Sequence, residues 1–405
     1  MSSQAKPVGG PAIYNRFTRY LAIFLGIWVL ILLYRFLTGI GTVSGLTDGY
    51  PWGVWIAFDV VTGTALGCGG YAIAILCYIL NKGKYHPLVR PAILTSALGY
   101  SMAALAIVFD VGRWWGIWRI PLGGFPDMGK YNWDSALLEV ALCVMAYVGV
   151  LWIELGPAFL EKWKATSKKQ GLVKFADIGL KFYDKALIWI IALGLLLPTM
   201  HQSSLGTLML VAGKKLHPLW YTGWIPLLFL ISCIGMGYAV VVWEAGVSSS
   251  VFKRDRHDAM LTSLSGAMVV VLALFLILRF ADLIYSGKTT MMFSSGFYSV
   301  VFWIEIALFA IPMVMLMRGK DRANFATMMR ASILIMFAGA MYRFDAYIVA
   351  FNPGKNWSYF PTVPEMVITL GTVALEVYLY IVIVKRYPIL SGARAVQVRE
   401  LEGRA

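Results

Sequence analysis

The sequence predicts an all-α protein that crosses a membrane about ten times, and three observations lead there. Apolar residues make up 59% of the 405 positions and charged residues only 14%. Mean hydropathy is +0.71, which places the chain among membrane rather than water-soluble proteins. The apolar residues also gather into ten continuous runs, each close to the roughly 20 residues that cross a ~30 Å hydrocarbon core as a helix. Continuous runs, rather than alternation, select helices over a barrel.

The elements follow in order. A polar tail over 1–17 lacks the basic-then-apolar pattern of a cleaved signal. A first span at 18–38, with its loop to residue 50, precedes a block of four spans at 53–80, 89–112, 134–157 and 184–204. A second block of four lies at 224–248, 260–286, 297–317 and 327–351. A last span at 364–386 leads into a tail over 389–405. The expected units are therefore 1–17, 18–50, a four-helix bundle over 51–215, a second over 216–351, the last span within 352–388, and the tail 389–405.

Charge sets the expected orientation. Of the 35 Lys and Arg residues, 25 lie at the N-terminus, the even-numbered connections and the C-terminus, against 7 in the odd-numbered connections and 3 inside spans. By the positive-inside rule both termini are expected to be cytoplasmic. The same placement accounts for a net charge of +14 without nucleic acid as a partner. The basic connection 161–185 reads first as a solvated loop and second as an interfacial helix or partner contact. Cys68, Cys77, Cys143 and Cys233 all fall inside spans without CxxC spacing, so they read as packing residues and supply no iron–sulfur site.

An ionisable group in a membrane helix costs about 2.5–3.5 kcal/mol or more at the centre, so each one is a candidate for function. Most sit toward the outer ends of their spans: Asp59, Asp110 with Arg113, Glu139, Arg279 with Asp282, Glu305, and Arg343 with Asp345. Glu154 and Glu244 lie toward the cytoplasmic ends, and Glu376 lies mid-span. Asp110/Arg113 and Arg279/Asp282 are spaced i, i+3 and read equally well as pairs that neutralise themselves. Asp59, Glu139 and Glu305 have no such partner on their own helix. Each must meet one on another helix, hold a proton, or face water.

The stretch LLLPTMHQSSLGTLM (195–209) places His201, Gln202 and Ser203 at the expected outer end of the fifth span. The other histidines, His86, His217 and His257, lie in connections, so no facing pair of haem ligands can be read. No nucleotide loop, zinc motif or nucleophile elbow is present. Redox chemistry in this chain would then need electrons from another subunit and a carrier dissolved in the bilayer, a quinone. Its two carbonyls each need a donor, and its reduction consumes two protons. His201 fits one carbonyl and Asp59 the other, with Arg113, Trp55 and neighbouring aromatic side chains around them.

Several motifs carry a resemblance. PWGVWIAFDVVTG (51–63), KYHPLVRPA (84–92), FDVGRWW (109–115), LLPTMHQSSLGTLM (196–209), KLHPLW (215–220), FYSVVFWIE (297–305), AFNPG (350–354) and YFPTVPE (359–365) resemble the NrfD/PsrC family of quinone-interacting membrane subunits. They are most similar to the HybB-like branch that serves hydrogenase-2-type NiFe hydrogenases. The resemblance implies a haem-free subunit, without its own iron–sulfur cluster, that binds menaquinone or ubiquinone. It implies a periplasmic ferredoxin-like iron–sulfur partner, wired to the small and large subunits of a NiFe hydrogenase. Other relatives serve polysulfide or nitrite reductases. It also implies two four-helix bundles in parallel repeat, helices 2–5 and 6–9, with helices 1 and 10 outside. Asp59 matches a quinone-contacting position where many members carry histidine, Glu139 matches a residue of a proton path, and His201 belongs to the motif beside the pocket. Asp110, Glu154, Glu244 and Glu305 complete the expected proton route. Arg279, Asp282, Arg343, Asp345 and Glu376 are further buried charges. A proton-coupled secondary transporter is the rival, disfavoured because its groups would sit near the midplane. A structural anchor would leave the buried acids unexplained.

Overall fold

The computed structural model describes residues 13–123, 131–252 and 256–390. Most of the expected units 1–17 and 389–405, and residues 253–255 of the basic connection 253–256, lie outside them. The described chain is helical, with no strand and one isolated bridge, Leu216 to Phe351. Its long helices are α1 Arg16–Thr38, α2 Trp55–Ile79, α3 Val89–Asp110, α4 Ala136–Thr166, α5 Gln170–Ala212, α6 Ile225–Phe252, α7 Asp258–Tyr285, α8 Phe297–Met317, α9 Phe325–Val349 and α10 Val363–Arg386.

Among the described residues nine of these, all but α5, are long and apolar enough to cross a membrane, against the ten spans expected. α5 runs for 43 residues, about 65 Å at 1.5 Å per residue. Its first turns are the lysine-rich stretch expected as a loop, and the expected span 184–204 forms its middle. The basic connection is thus mostly helix.

Starts are set by side-chain caps. Asn15 and Thr18 form a reciprocal capping box at α1, and Thr362 and Glu365 form another at α10. Ser135 caps α4 and Asn324 caps α9 through the backbone N–H three residues on. Glycine with φ +97° at Gly39 lets α1 stop in a conformation other residues resist. α2 and α9 are partly wound as wider π-turns, over Trp55–Thr62, Ile75–Ile79 and Asp345–Val349. Such turns often accompany functional sites.

The helices close into two rings. In one, α2 packs on α3, α3 on α4, α4 on α5 and α5 back on α2; in the other, α6 packs on α7, α7 on α8, α8 on α9 and α9 back on α6. The rings meet where α2 lies against α6 and α9 and where α5 lies against α6. α1 packs on α10, which lies along α2 and α3. Connections of like parity meet on one side of the molecule. Tyr50 donates to the Phe351 carbonyl at 2.9 Å and Lys288 to the Tyr221 carbonyl at 2.6 Å on the odd-numbered face. Lys84 donates to Ser263 at 2.6 Å on the other, basic face. Among the tryptophans of the odd-numbered face, Trp114, Trp115, Trp118 and Trp133 are exposed, whereas Trp55 and Trp220 are completely buried. The first group suits an interfacial belt.

Small residues bring the rings together. A Cβ on Gly237 of α6 would lie 2.6 Å from the Cys68 carbonyl of α2, so only glycine permits this approach. Gly237→Leu is expected to lower the thermal midpoint of the detergent-solubilised chain, by the roughly 1–3 kcal/mol that overpacking costs. Gly149→Leu, at a position with open space around it, should leave the midpoint where it is. Equal midpoints in the two variants would show that α2 and α6 do not pack this closely.

Candidate functional site

Three polar groupings lie inside this apolar scaffold. The first is centred on His201 and Arg343. The His201 Nδ1–H donates to the Leu197 carbonyl at 2.9 Å; because a carbonyl only accepts, Nε2 is the accepting nitrogen. It receives the Tyr100 hydroxyl at 2.7 Å and the Gln202 amide at 3.1 Å. Cys68 lies 3.2 Å from the same hydroxyl. Tyr147 packs edge-on against Tyr100 with ring centroids 4.6 Å apart. Gln202 also donates to Thr64 at 3.0 Å and accepts from Arg343 at 3.3 Å. The Arg343 guanidinium further donates to the Val61, Gly339 and Phe229 carbonyls and to Ser232, at 3.0–3.2 Å. α2, α5, α6 and α9 all contribute to this one network.

His201 was expected in the last outer turn of its span. Instead the helix continues to Ala212 and the imidazole is completely buried with both nitrogens engaged. The reason is local: polar residues that look like the end of a membrane segment are satisfied inside the bundle, so the helix need not stop. Ser203 turns aside and donates to the Thr199 and Met200 carbonyls of its own helix.

The second grouping follows one face of α10. Glu365 accepts from the backbone N–H groups of Gly45 and Thr362, each at 2.8 Å, and from the Tyr359 hydroxyl at 3.0 Å. Trp55 donates to the Glu365 carbonyl at 3.3 Å. One turn on, Thr369 donates to Asp59 Oδ2 at 2.8 Å; the other oxygen of Asp59 makes no hydrogen bond among the described residues. Glu376 lies close enough to feel the charge of Asp59. A Cβ on Gly99 would come within 3.5 Å of its Oε1, so the carboxylate rests in a notch of α3. One turn further, Tyr380 donates to Glu244 of α6, which is buried. From 365 to 380 the face extends about 22 Å, most of a ~30 Å core. Leu370, Val373 and Val377, on the side of α10 next to this face, are exposed.

The third grouping is in the other ring. Arg279 and Glu305 are completely buried and 3.7 Å apart. Trp220 donates to Glu305 at 2.7 Å and Thr222 to Asp282 at 2.7 Å. Asp345 reaches toward Glu305 from α9.

The structure does not bring together Asp59 and His201, the two groups expected to grip one quinone. Asp59 faces α10, while His201 faces the interior of its ring. Nor do the i, i+3 pairs close on themselves. Asp110 has Arg35 of α1 as its nearby cation, and Arg35 itself donates to the Phe109 and Val111 carbonyls at 2.8 Å, whereas Arg113 is exposed. Arg279 turns to Glu305 instead of Asp282. Glu139, half-buried in the first turn of α4, suits the positive end of that helix. Glu154 is half-buried, with Oε2 3.7 Å from where a Cβ on Gly194 would stand. Glu365, Thr369 and Tyr380 were missed. The T-x-x-E capping pattern at 362–365 and the spacing 365, 369, 376, 380 were the available signals.

With this geometry in view, comparison with known proteins is informative. Residues 42–352 match the polysulphide reductase NrfD family. The chain belongs to the NrfD family. A "Probable Ni/Fe-hydrogenase 2 b-type cytochrome subunit" of Escherichia coli K12 is 40% identical over 395 residues, 96% of each chain. The integral membrane subunit of a menaquinone reductase of Nitratidesulfovibrio vulgaris is 29% identical over 374 residues, 85% of this chain and 84% of its own. The integral membrane subunit of an Hdr-like menaquinol oxidoreductase of Archaeoglobus fulgidus is 21% identical over 390 residues, 88% of this chain and 90% of its own. In this NrfD protein the matched region takes in both rings but stops before α10, so the acidic face of that helix lies outside it.

Arg343 offers the sharpest test of the first grouping. Arg343→Lys keeps the charge but replaces a five-donor planar fork by three donors on a point charge. A loss of about 3 kcal/mol is expected, as for other broken buried networks, read as a lowered thermal midpoint. An unchanged midpoint would show that the guanidinium does not join the rings.

Proposed function

We propose that this chain is the quinone-reactive membrane subunit of a hydrogenase-linked oxidoreductase. It would pass electrons between an iron–sulfur subunit docked on the odd-numbered, periplasmic face and the menaquinone pool, with both termini in the cytoplasm. The observation that carries the reading is Asp59. It is a carboxylate with one oxygen held by Thr369 and the other open, beside a second carboxylate, on a seam flanked by the lipid-exposed side of α10. Quinone reduction needs two protons delivered next to a headgroup that arrives from the bilayer. An acid pair at such a seam meets that need, whereas His201, already bonded at both nitrogens, serves to hold α5 against α3 through Tyr100. The names of the relatives, a NiFe hydrogenase subunit and a menaquinone reductase subunit, support the electron donor and the acceptor class.

The α10 face supplies a proton route. Glu244 and Tyr380 stand toward the basic face, which the positive-inside rule makes cytoplasmic; Glu376 follows, and Asp59 with Thr369 receives. Glu365 and Asp110 close the periplasmic end with Arg35. Glu139 and Glu154 stand apart from this face and have no step in it. A carboxylate ladder of this kind conducts protons only while each group can both accept and release one.

The name of the Escherichia coli relative raises haem. Its axial ligands would be two facing histidines. Here His201 is saturated within its ring, and His86, His217 and His257 lie at the ends of the helices or in their connections. That donor set does not fit, and no step is routed through haem.

Asp59→Asn and Glu376→Gln, made in the intact complex, are expected to slow reduction of a menaquinone analogue by about tenfold or more. Reduction of a soluble dye by the same preparation should be unaffected. Equal losses with both acceptors, or full quinone turnover in both variants, would remove Asp59 and Glu376 from the site.

A further inference from the structure

Eight buried side-chain polar atoms in the described residues lack a hydrogen-bond partner, and seven of them belong to one chamber in the second ring. They are all three nitrogens of Arg279, Asp282 Oδ2, Glu305 Oε1, Asp345 Oδ2 and Tyr342 Oη. Native interiors leave very few such atoms, and a buried carboxylate or guanidinium without partners is among the most expensive of all. Their concentration in one place therefore needs a physical account.

Charge counting supplies one. α7 contributes Arg279 and Asp282, α8 contributes Glu305, and α9 contributes Asp345 and the Tyr342 hydroxyl; each charged side chain is at most 5% exposed. From the loop after α7, Lys288 interacts with Asp282. Arg343, on the same helix as Asp345, is committed to the neutral acceptors described above. The chamber thus has two cations, Arg279 and Lys288, for three carboxylates. Lys288 answers Asp282, and the single cation Arg279 serves both Glu305 and Asp345, which leaves that facing pair one positive charge short. Each member of that facing pair has an oxygen with no N–H or O–H to accept from. Two ionised carboxylates in contact repel strongly in a low-dielectric interior, so at rest one proton between them supplies both the missing donor and the missing charge.

We infer that Glu305 and Asp345 hold a single shared proton, and that this pair is a proton-loading site in the second ring, separate from the carboxylates along α10. Trp220 fixes the orientation of Glu305 by donating to its other oxygen. Arg279, lying over the Phe302 and Tyr342 rings at 5.5 and 5.6 Å, is the counter-charge available when the proton leaves. Release is a plain ionisation: the O–H bond breaks, the proton passes to water, and the negative charge remains on the pair beside the guanidinium. The shared proton stands on the second ring alone, whereas its loading role rests on the quinone activity proposed above.

Infrared difference spectroscopy of the full chain in its native complex, comparing wild type with Glu305→Gln and Asp345→Asn, tests the shared proton. Each substitution removes one partner and lets the survivor ionise against Arg279. Both wild-type-minus-variant spectra should therefore contain one protonated-carboxyl band, the same in the two and shifted in heavy water. A band lost in one variant only would assign the proton to a single residue, and no band lost in either would mean that both acids are ionised; both outcomes overturn the pair. Thermal midpoints guard against misfolding. Asp345→Asn, whose amide can donate where the proton did, should retain the wild-type midpoint, and Asp345→Ala should not. The loading role is read in vesicles bearing the complex, as protons taken up per quinone reduced. That ratio should fall in both isosteric variants, and an unchanged ratio would leave a proton that never moves and overturn the loading role.

Discussion

The Arg343 guanidinium is the interaction on which the arrangement of the two rings depends. It is completely buried where α2, α5, α6 and α9 meet, and its donors are answered by carbonyls of Val61, Phe229 and Gly339, the Ser232 hydroxyl and the Gln202 amide. A buried cation is tolerated only when its N–H groups are met and the surrounding dipoles point inward. Meeting that condition fixes the distance and rotation of four helices at once. Gln202 carries the constraint onward to His201, and through it to Tyr100 of α3, so one side chain orders the interior of the first ring. Gly237 makes the same junction sterically possible by letting α6 approach the Cys68 carbonyl.

α10 adds a different kind of constraint. It belongs to neither ring, yet it carries the capping box that places Glu365, and the same Glu365 accepts from Gly45 and Tyr359 in two separate connections. The end of α10 on the odd-numbered face is thereby pinned. The remainder lies in contact with α2 and α3, where the Thr369–Asp59 bond and the notch at Gly99 orient two carboxylates. A helix held firmly at one end and packed along a seam can present acids to that seam while its other face remains apolar.

The fold was largely legible because its cause is simple: a ~30 Å apolar slab demands helices of a given length, and hydropathy reports them directly. Rings 2–5 and 6–9 agree with the grouping expected from the resemblance. The site was less legible, and the reason is rotational. Spacing along one helix shows that Arg279 and Asp282 can meet, but not that Arg279 turns inward to Glu305. His201 lies further inside its helix than expected, because hydropathy reads HQSS as the end of the span. Inside the ring those groups are bonded to Leu197, Tyr100 and Thr64, so the sequence is polar where the environment is not aqueous. Glu365 was overlooked because a capping acid looks structural, and here the cap also organises the end of the acidic face.

Arg343 and Arg279, both completely buried, answer to opposite rules, and the contrast explains how one scaffold can move protons without loosening. Arg343 is coordinated only by neutral dipoles. None of its partners gains or loses a proton in the physiological range, so the joint between the rings keeps its geometry whatever the state of the acids nearby. Arg279 has no such shell. Its nitrogens are without hydrogen-bond partners and its counter-charge is carried by carboxylates, whose charge does change. Coulomb energy at that separation is large in a low-dielectric interior and small in water, so the chamber is sensitive to protonation where the joint is indifferent to it. Exchanging the two environments would put the titrating groups at the hinge, and each proton transferred would then strain four helices.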